Sequence, residues 1–209
     1  MKTNLQTKKQ ENRKQIKDFK IALKNMEPMV KDPKFLYNGR DIANFSLRPR
    51  EAWANWLLCV VLRKLYGDEI TFVEDECGDG IILDKKTGQW IKTEHVSALE
   101  IPLSKKILPK GEARVIDAIN YKIRRGVDYA RNKNLVVFFD GAGKFYRNKI
   151  REAIRGRHGF NCVYCIGLLI SGDEGYAYAV TEFHDNFSLT FKVEINNDFT
   201  DWKVSQIKE

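Results

Sequence analysis

Apolar positions change period several times along the chain, and each change predicts an element. Near the N-terminus Leu5, Ile16, Phe19, Leu23 and Met26 make a thin apolar stripe at helical spacing, which predicts a charged helix over residues 1 to about 27. Pro28, Pro33 and Gly39 then break up a linker-like stretch to about Ser46. Arg48-Pro49-Arg50-Glu51 opens the next helix, with proline suited to the first turn, and Gly67 makes a natural stop after Tyr66. Trp53, Trp56, Leu57, Val60, Val61 and Leu65 give that helix a wide apolar stripe, so it is largely buried.

A strand over Glu69 to Glu74 follows, and then the stretch DGIILDKKTGQWIKTEHV starting at Asp79. It reads as a β-hairpin whose loop, Lys85-Lys86-Thr87-Gly88, ends in a glycine free to take positive φ. Counted outward from that loop, Asp84 pairs with Gln89, Leu83 with Trp90, Ile82 with Ile91, and Ile81 with Lys92. The same count sets Asp79 directly across from Glu94. Opposed side chains on neighbouring strands have Cβ atoms about 5 Å apart, and two carboxylates there repel each other. A cation between them would relieve that repulsion, and hard divalent metals favour oxygen ligands. Asp79 and Glu94 are therefore a candidate metal site.

Beyond the hairpin, Ile101 to Lys110 reads as a loop and Glu112 to Asn132 as a helix with Val115, Ile116, Ile119, Ile123 and Val127 toward the core. LVVFF at Leu135–Phe139 is a strand buried on both faces. A helix from Phe145 to about Arg155, a strand from Phe160 to Ile170 and another from Tyr176 to Glu182 complete the pattern, with a weakly alternating tail after His184 that adds an edge strand. The order predicts an α/β domain with a mixed sheet over residues 46–209, preceded by a basic N-terminal helix and linker over residues 1–45.

Charge sharpens this division. Residues 1–40 hold eleven Lys and Arg against four Asp and Glu, and the rest of the chain holds twenty-five against twenty-four. A segment so basic can neutralise phosphates and bind nucleic acid. No apolar run is long enough for a membrane span, and MKTNLQTKKQ lacks the apolar region of a secretory signal, so a cytoplasmic protein with no membrane partner is expected. Cys162 and Cys165 form a C-x-x-C, but on a strand such positions face opposite ways, which suits neither a redox dithiol nor a zinc pair. Cys59 and Cys77 sit in an apolar helix and before a glycine. The loop Asp140-Gly141-Ala142-Gly143-Lys144 follows a strand and precedes a helix, yet Phe138 and Phe145 stand where a phosphate-binding loop needs glycine and Ser or Thr. His158 and His184 have no partner at ligand or nucleophile spacing.

Helix, strand, a hairpin carrying an aspartate and then a glutamate, helix and strand: over about Arg48 to Phe139 the chain resembles the PD-(D/E)XK nuclease superfamily. The resemblance implies a restriction-endonuclease-like α/β fold, a central mixed β-sheet flanked by helices. It matches Asp79 to the family's metal-binding aspartate, Glu94 to the acidic residue of the third-strand motif, and Glu51 to the glutamate many members carry in the first helix. It departs from the family in one place, where Glu94-His95-Val96 lacks the lysine two residues after the acid. Lys92, two residues before Glu94 on the same face, and Lys122, on the following helix, are the two substitutes, with Lys122 preferred. The activity implied is Mg²⁺- or Mn²⁺-dependent hydrolysis of DNA phosphodiester bonds, the metal held by Asp79, Glu94 and the backbone carbonyl of His95, with two chains pairing to cut both strands. The missing lysine also admits a catalytically degenerate nucleic-acid-binding or assembly protein.

Overall fold

The computed structural model describes residues 13–32, 34–35, 45–75, 78–99, 109–139 and 145–208. Residues 1–12, the loop at 140–144, Cys77 and most of the loop expected at 101–110 lie outside them. The elements are α1 (Phe19–Lys31), α2 (Pro49–Tyr66), β1 (Ile70–Val73), β2 (Ile81–Asp84), β3 (Trp90–Ala98), α3 (Glu112–Ile123), the single turn α4 (Val127–Ala130), β4 (Lys133–Phe139), α5 (Arg147–Ile154), β5 (Cys162–Gly172), β6 (Gly175–Phe183), β7 (Ser188–Ile195) and β8 (Trp202–Ile207).

Eight strands form one sheet in the order in which they occur in the chain. β1, β2 and β3 pair antiparallel, β3 to β4 and β4 to β5 are parallel, and β5 to β8 continue as an antiparallel meander. The sheet curls into a half-barrel. This corrects the expectation of a restriction-endonuclease-like α/β sandwich flanked by helices. α2 is no covering layer: Trp53, Trp56, Leu57, Leu58 and Val60 pack with Phe72, Ile82, Val136, Ile166, Val180 and Val193, side chains drawn from six strands of the curl. A helix apolar on all sides belongs in the middle of a core, and here the sheet bends around it. Outside the curl, α3, α4 and α5 cover the patch of Ala98, Leu135, Val137, Val163, Cys165 and Phe183. The tail is not one edge strand but two full ones, β7 and β8, joined through a turn in which Phe199 takes φ 55° and Asn196 Oδ1 accepts from the N–H groups of Thr200 and Asp201.

The N-terminal helix starts later than expected, at Phe19, and runs on through Pro28 to Lys31, where a linker was expected. Lys14 and Ile16 lie beside β1, where Ile16 N–H donates to Phe72 O and Glu74 N–H to Lys14 O. Asp18 then caps α1 by accepting from the N–H groups of Lys20 and Ile21. α1 buries Phe19, Leu23, Met26 and Val30 in the same core as α2, and Trp56 Nε1 donates to Phe19 O at 3.1 Å. The expected helix from Glu112 to Asn132 breaks at Gly126, which takes φ 94°, and Val127 turns outward instead of into the core. Cys162 and Cys165 do face opposite sides of the sheet, and with Cys59 they are free thiols. Among the described residues no helix is long and apolar enough to cross a membrane.

Candidate functional site

The hairpin has the expected register, with Ile81 opposite Lys92, Ile82 opposite Ile91 and Leu83 opposite Trp90. Asp84 closes the loop by accepting from the N–H groups of Lys86 and Thr87, and Gly88 takes φ 70°. One step further out, Thr93 N–H donates to Gly80 O. Asp79 then bends in, its Oδ2 accepting the His95 N–H at 2.6 Å. A strand residue points its N–H and C=O toward the same neighbour, so the His95 carbonyl also faces the Asp79 end of β2.

The site gathers around this contact. Burial raises the Asp79 carboxyl above its ordinary range; the His95 N–H opposes that and the nearby Glu94 charge adds to it. Burial also pushes Glu94 up, but hydrogen bonds from Lys122 and Tyr129, with the charges of Lys122 and Lys133, outweigh it and leave Glu94 below its ordinary value. Lys122, buried on α3, donates to Glu94 Oε1, and Lys133 Nζ stands 3.7 Å from Oε2. Glu51 accepts the Arg48 N–H at 3.0 Å at the start of α2, and burial, assisted by the Asp79 charge, raises its carboxyl. Arg50, beside it, feels both Glu51 and Asp79.

Of the expected residues, Asp79, Glu94, Lys122 and Glu51 therefore share one electrostatic site. Lys92 does not join them, since its ammonium pairs with the buried Asp75 at 2.8 Å. The side chain of His95 lies on the other face, with Nε2 3.2 Å from Asn55 Oδ1, while Asn55 Nδ2 donates to Asp79 O at 2.9 Å. Burial holds this imidazole neutral, its pKa lowered to about 3, and the Asn55 contact requires the proton on Nε2. Asn55 and His95 brace the Asp79 end of the hairpin from behind. Sequence reasoning missed Asn55, Tyr129 and Lys133; a lone polar residue inside an otherwise apolar helix was the available signal for Asn55.

Two observations test this brace and the burial of charge. A Cβ added at Gly80, which has φ 128°, would stand 2.4 Å from Asn55 Nδ2. Gly80→Ala is expected to displace Asn55 and cost about 1–3 kcal/mol, read as a lower urea midpoint. Asp79→Asn is expected to raise the melting temperature of the metal-free protein at pH 7. A carboxyl with a raised folded pKa favours folding at low pH, and that contribution is lost as pH rises through the folded value. The two proteins should therefore converge below about pH 4 and separate at neutral pH.

The donor set suits a hard cation: two carboxylates and a backbone carbonyl, of the kind that holds magnesium together with water and substrate phosphate. Among the described residues no three His, Cys, Asp or Glu side chains form a metal-holding cluster. A cleft lined by Glu174, Glu194, Trp202 and Lys203, with a volume of about 420 Å³, lies away from these residues. Set against known proteins, the chain matches no family model, no curated protein and no solved structure.

Proposed function

We propose that the chain is a Mg²⁺- or Mn²⁺-dependent endonuclease that hydrolyses DNA phosphodiester bonds in the cytoplasm, with a site resembling that of PD-(D/E)XK enzymes in its residues. The observation that carries this reading is Lys122 reaching Glu94 from α3, beside the half-buried Asp79. It supplies a cation where the third-strand motif lacks one.

Asp79, Glu94 and the His95 carbonyl would hold the metal, which when bound polarises a phosphate oxygen and lowers the pKa of water. Lys122 holds a fixed positive charge where negative charge develops during hydrolysis. Tyr129 and Lys133 fix the Glu94 carboxylate, and Asn55 with the His95 N–H fixes Asp79. Glu51 and Arg50 flank the aspartate at the start of α2.

The test is cleavage of plasmid and single-stranded DNA with Mg²⁺ or Mn²⁺, wild type beside Asp79→Ala and Glu94→Ala. The expected result is cutting by wild type and none by either variant, both still folded. Wild type that binds DNA and cuts nothing across metals and substrates would make this a degenerate nucleic-acid-binding protein.

A further inference from the structure

We propose that the surface carrying Tyr121, Arg124, Arg125, Tyr129 and Lys133 is a platform for an unpaired nucleic-acid strand, delivering it to Asp79 and Glu94. The inference rests on the reading of that site as one for phosphodiester chemistry, and it names the form of substrate the site receives.

The first observation is charge. The segment 121–133, YKIRRGVDYARNK, holds five Lys and Arg and a single acid, Asp128, although residues 41–209 as a whole are almost balanced. Asp128 pairs with Arg131, and Lys122 points into the site against Glu94. Arg125 donates instead to two phenols, those of Tyr121 and Tyr129, each at 3.2 Å. A phenol cancels no charge, so the guanidinium remains available to a phosphate. Arg124 is exposed beside it, with no carboxylate against it among the described residues.

The second observation is the arrangement of the rings. Tyr121 and Tyr129 lie 5.4 Å and 5.0 Å from the Arg125 guanidinium, one on each side of it in sequence and four residues away. Tyr121 is 49 % exposed, a large apolar face turned to solvent. Arg125 restricts both rings before any ligand arrives, which lowers the entropic cost of stacking a base on them. Exposed aromatic rings interleaved with arginine match a strand whose bases are unstacked; a duplex keeps its base faces to itself and offers mainly phosphates.

The third observation is continuity with the site. The Tyr129 hydroxyl hydrogen-bonds Glu94, and Lys133 Nζ stands 4.0 Å from the Tyr129 ring centroid and 3.7 Å from Glu94 Oε2. A backbone followed from Arg124 past Tyr129 thus arrives at the carboxylates.

Binding of a labelled oligodeoxynucleotide, followed by fluorescence anisotropy in EDTA, separates this proposal from the activity. Wild type is expected to bind the unpaired strand about tenfold or more tightly than a duplex of equal length. Tyr121→Ala should weaken binding to the unpaired strand about tenfold while leaving the duplex almost unaffected, and Tyr121→Phe should restore most of it. Arg125→Ala should weaken both. A wild type that prefers the duplex, or a Tyr121→Ala protein that binds the unpaired strand unchanged, overturns the platform. Cleavage with Mg²⁺ is scored separately: cutting without Tyr121-dependent binding keeps the activity and removes the platform, and Tyr121-dependent binding without cutting does the reverse.

Discussion

Lys122→Met should lower cleavage by about a hundred- to a thousandfold, the loss typical of deleting one preorganised charge from a transition state. It should also destabilise the protein, and both effects have one cause. Lys122 and Glu94 are each largely shielded from solvent, with side chains 9 % and 14 % exposed. Removing one member of a buried pair strands the other, at a cost of about 3–5 kcal/mol for a fully buried pair. Glu94 keeps Tyr129 and the more distant Lys133, so the lower end of that range is expected. The pH dependence distinguishes this from loss of packing. In the wild type Glu94 lies below its ordinary value, so its contribution is present above the usual carboxylate range and is lost as pH falls through the folded pKa. The variant lacks most of that contribution. Urea midpoints should therefore differ most near pH 7 and converge as pH falls below the usual carboxylate range; a gap that stays constant would mean that Lys122 acts through its methylene chain alone.

Trp53→Ala should cost about 3–5 kcal/mol, a large fraction of the stability of an ordinary domain. Trp53 is fully buried on α2, stacked on Trp56 with centroids 5.2 Å apart and set edge-on to Tyr178 at 5.5 Å. The curl of the sheet is shaped around these rings, so no neighbour can close the space without moving strands. Ile21→Ala, on the exposed face of α1, is the matched control and should change stability by under about 0.5 kcal/mol. Trp53 also lies between Glu51 and Asn55, two residues from each. Its loss should reach the site, reducing any Mg²⁺-dependent gain in melting temperature along with the urea midpoint.

How much of this was legible depended on how local each interaction is. The hairpin register followed from loop length and a single glycine, and with it came the approach of Asp79 to Glu94. Lys122 was recoverable because the gap after Glu94 called for a cation and α3 follows β3. Lys92 misled, since alternation gives the face of a residue and not its partner; Asp75 lies seventeen positions away, within reach of the same face. Tyr129 was hidden by the helix break at Gly126, which moves it from a helical face to the mouth of the site. The sheet's curvature was the least legible feature. It arises from packing six strands around one helix, and although the run over residues 52–62 is apolar nearly all round, no short window of sequence records that the sheet bends to enclose it.

The strand order has a consequence for how the chain acquires its shape. Because each strand's neighbour in the sheet is its neighbour in sequence, every strand after β1 has a partner already made when it leaves the ribosome. Loop-closure entropy is therefore small for the pairings themselves, and β5 to β8 can zip in succession from short turns. The slow step is then the seating of α2, made early but not enclosed until β7 has wrapped past it. Until that moment its tryptophans are uncovered, and a nascent chain stopped before β7 is the form most prone to self-association.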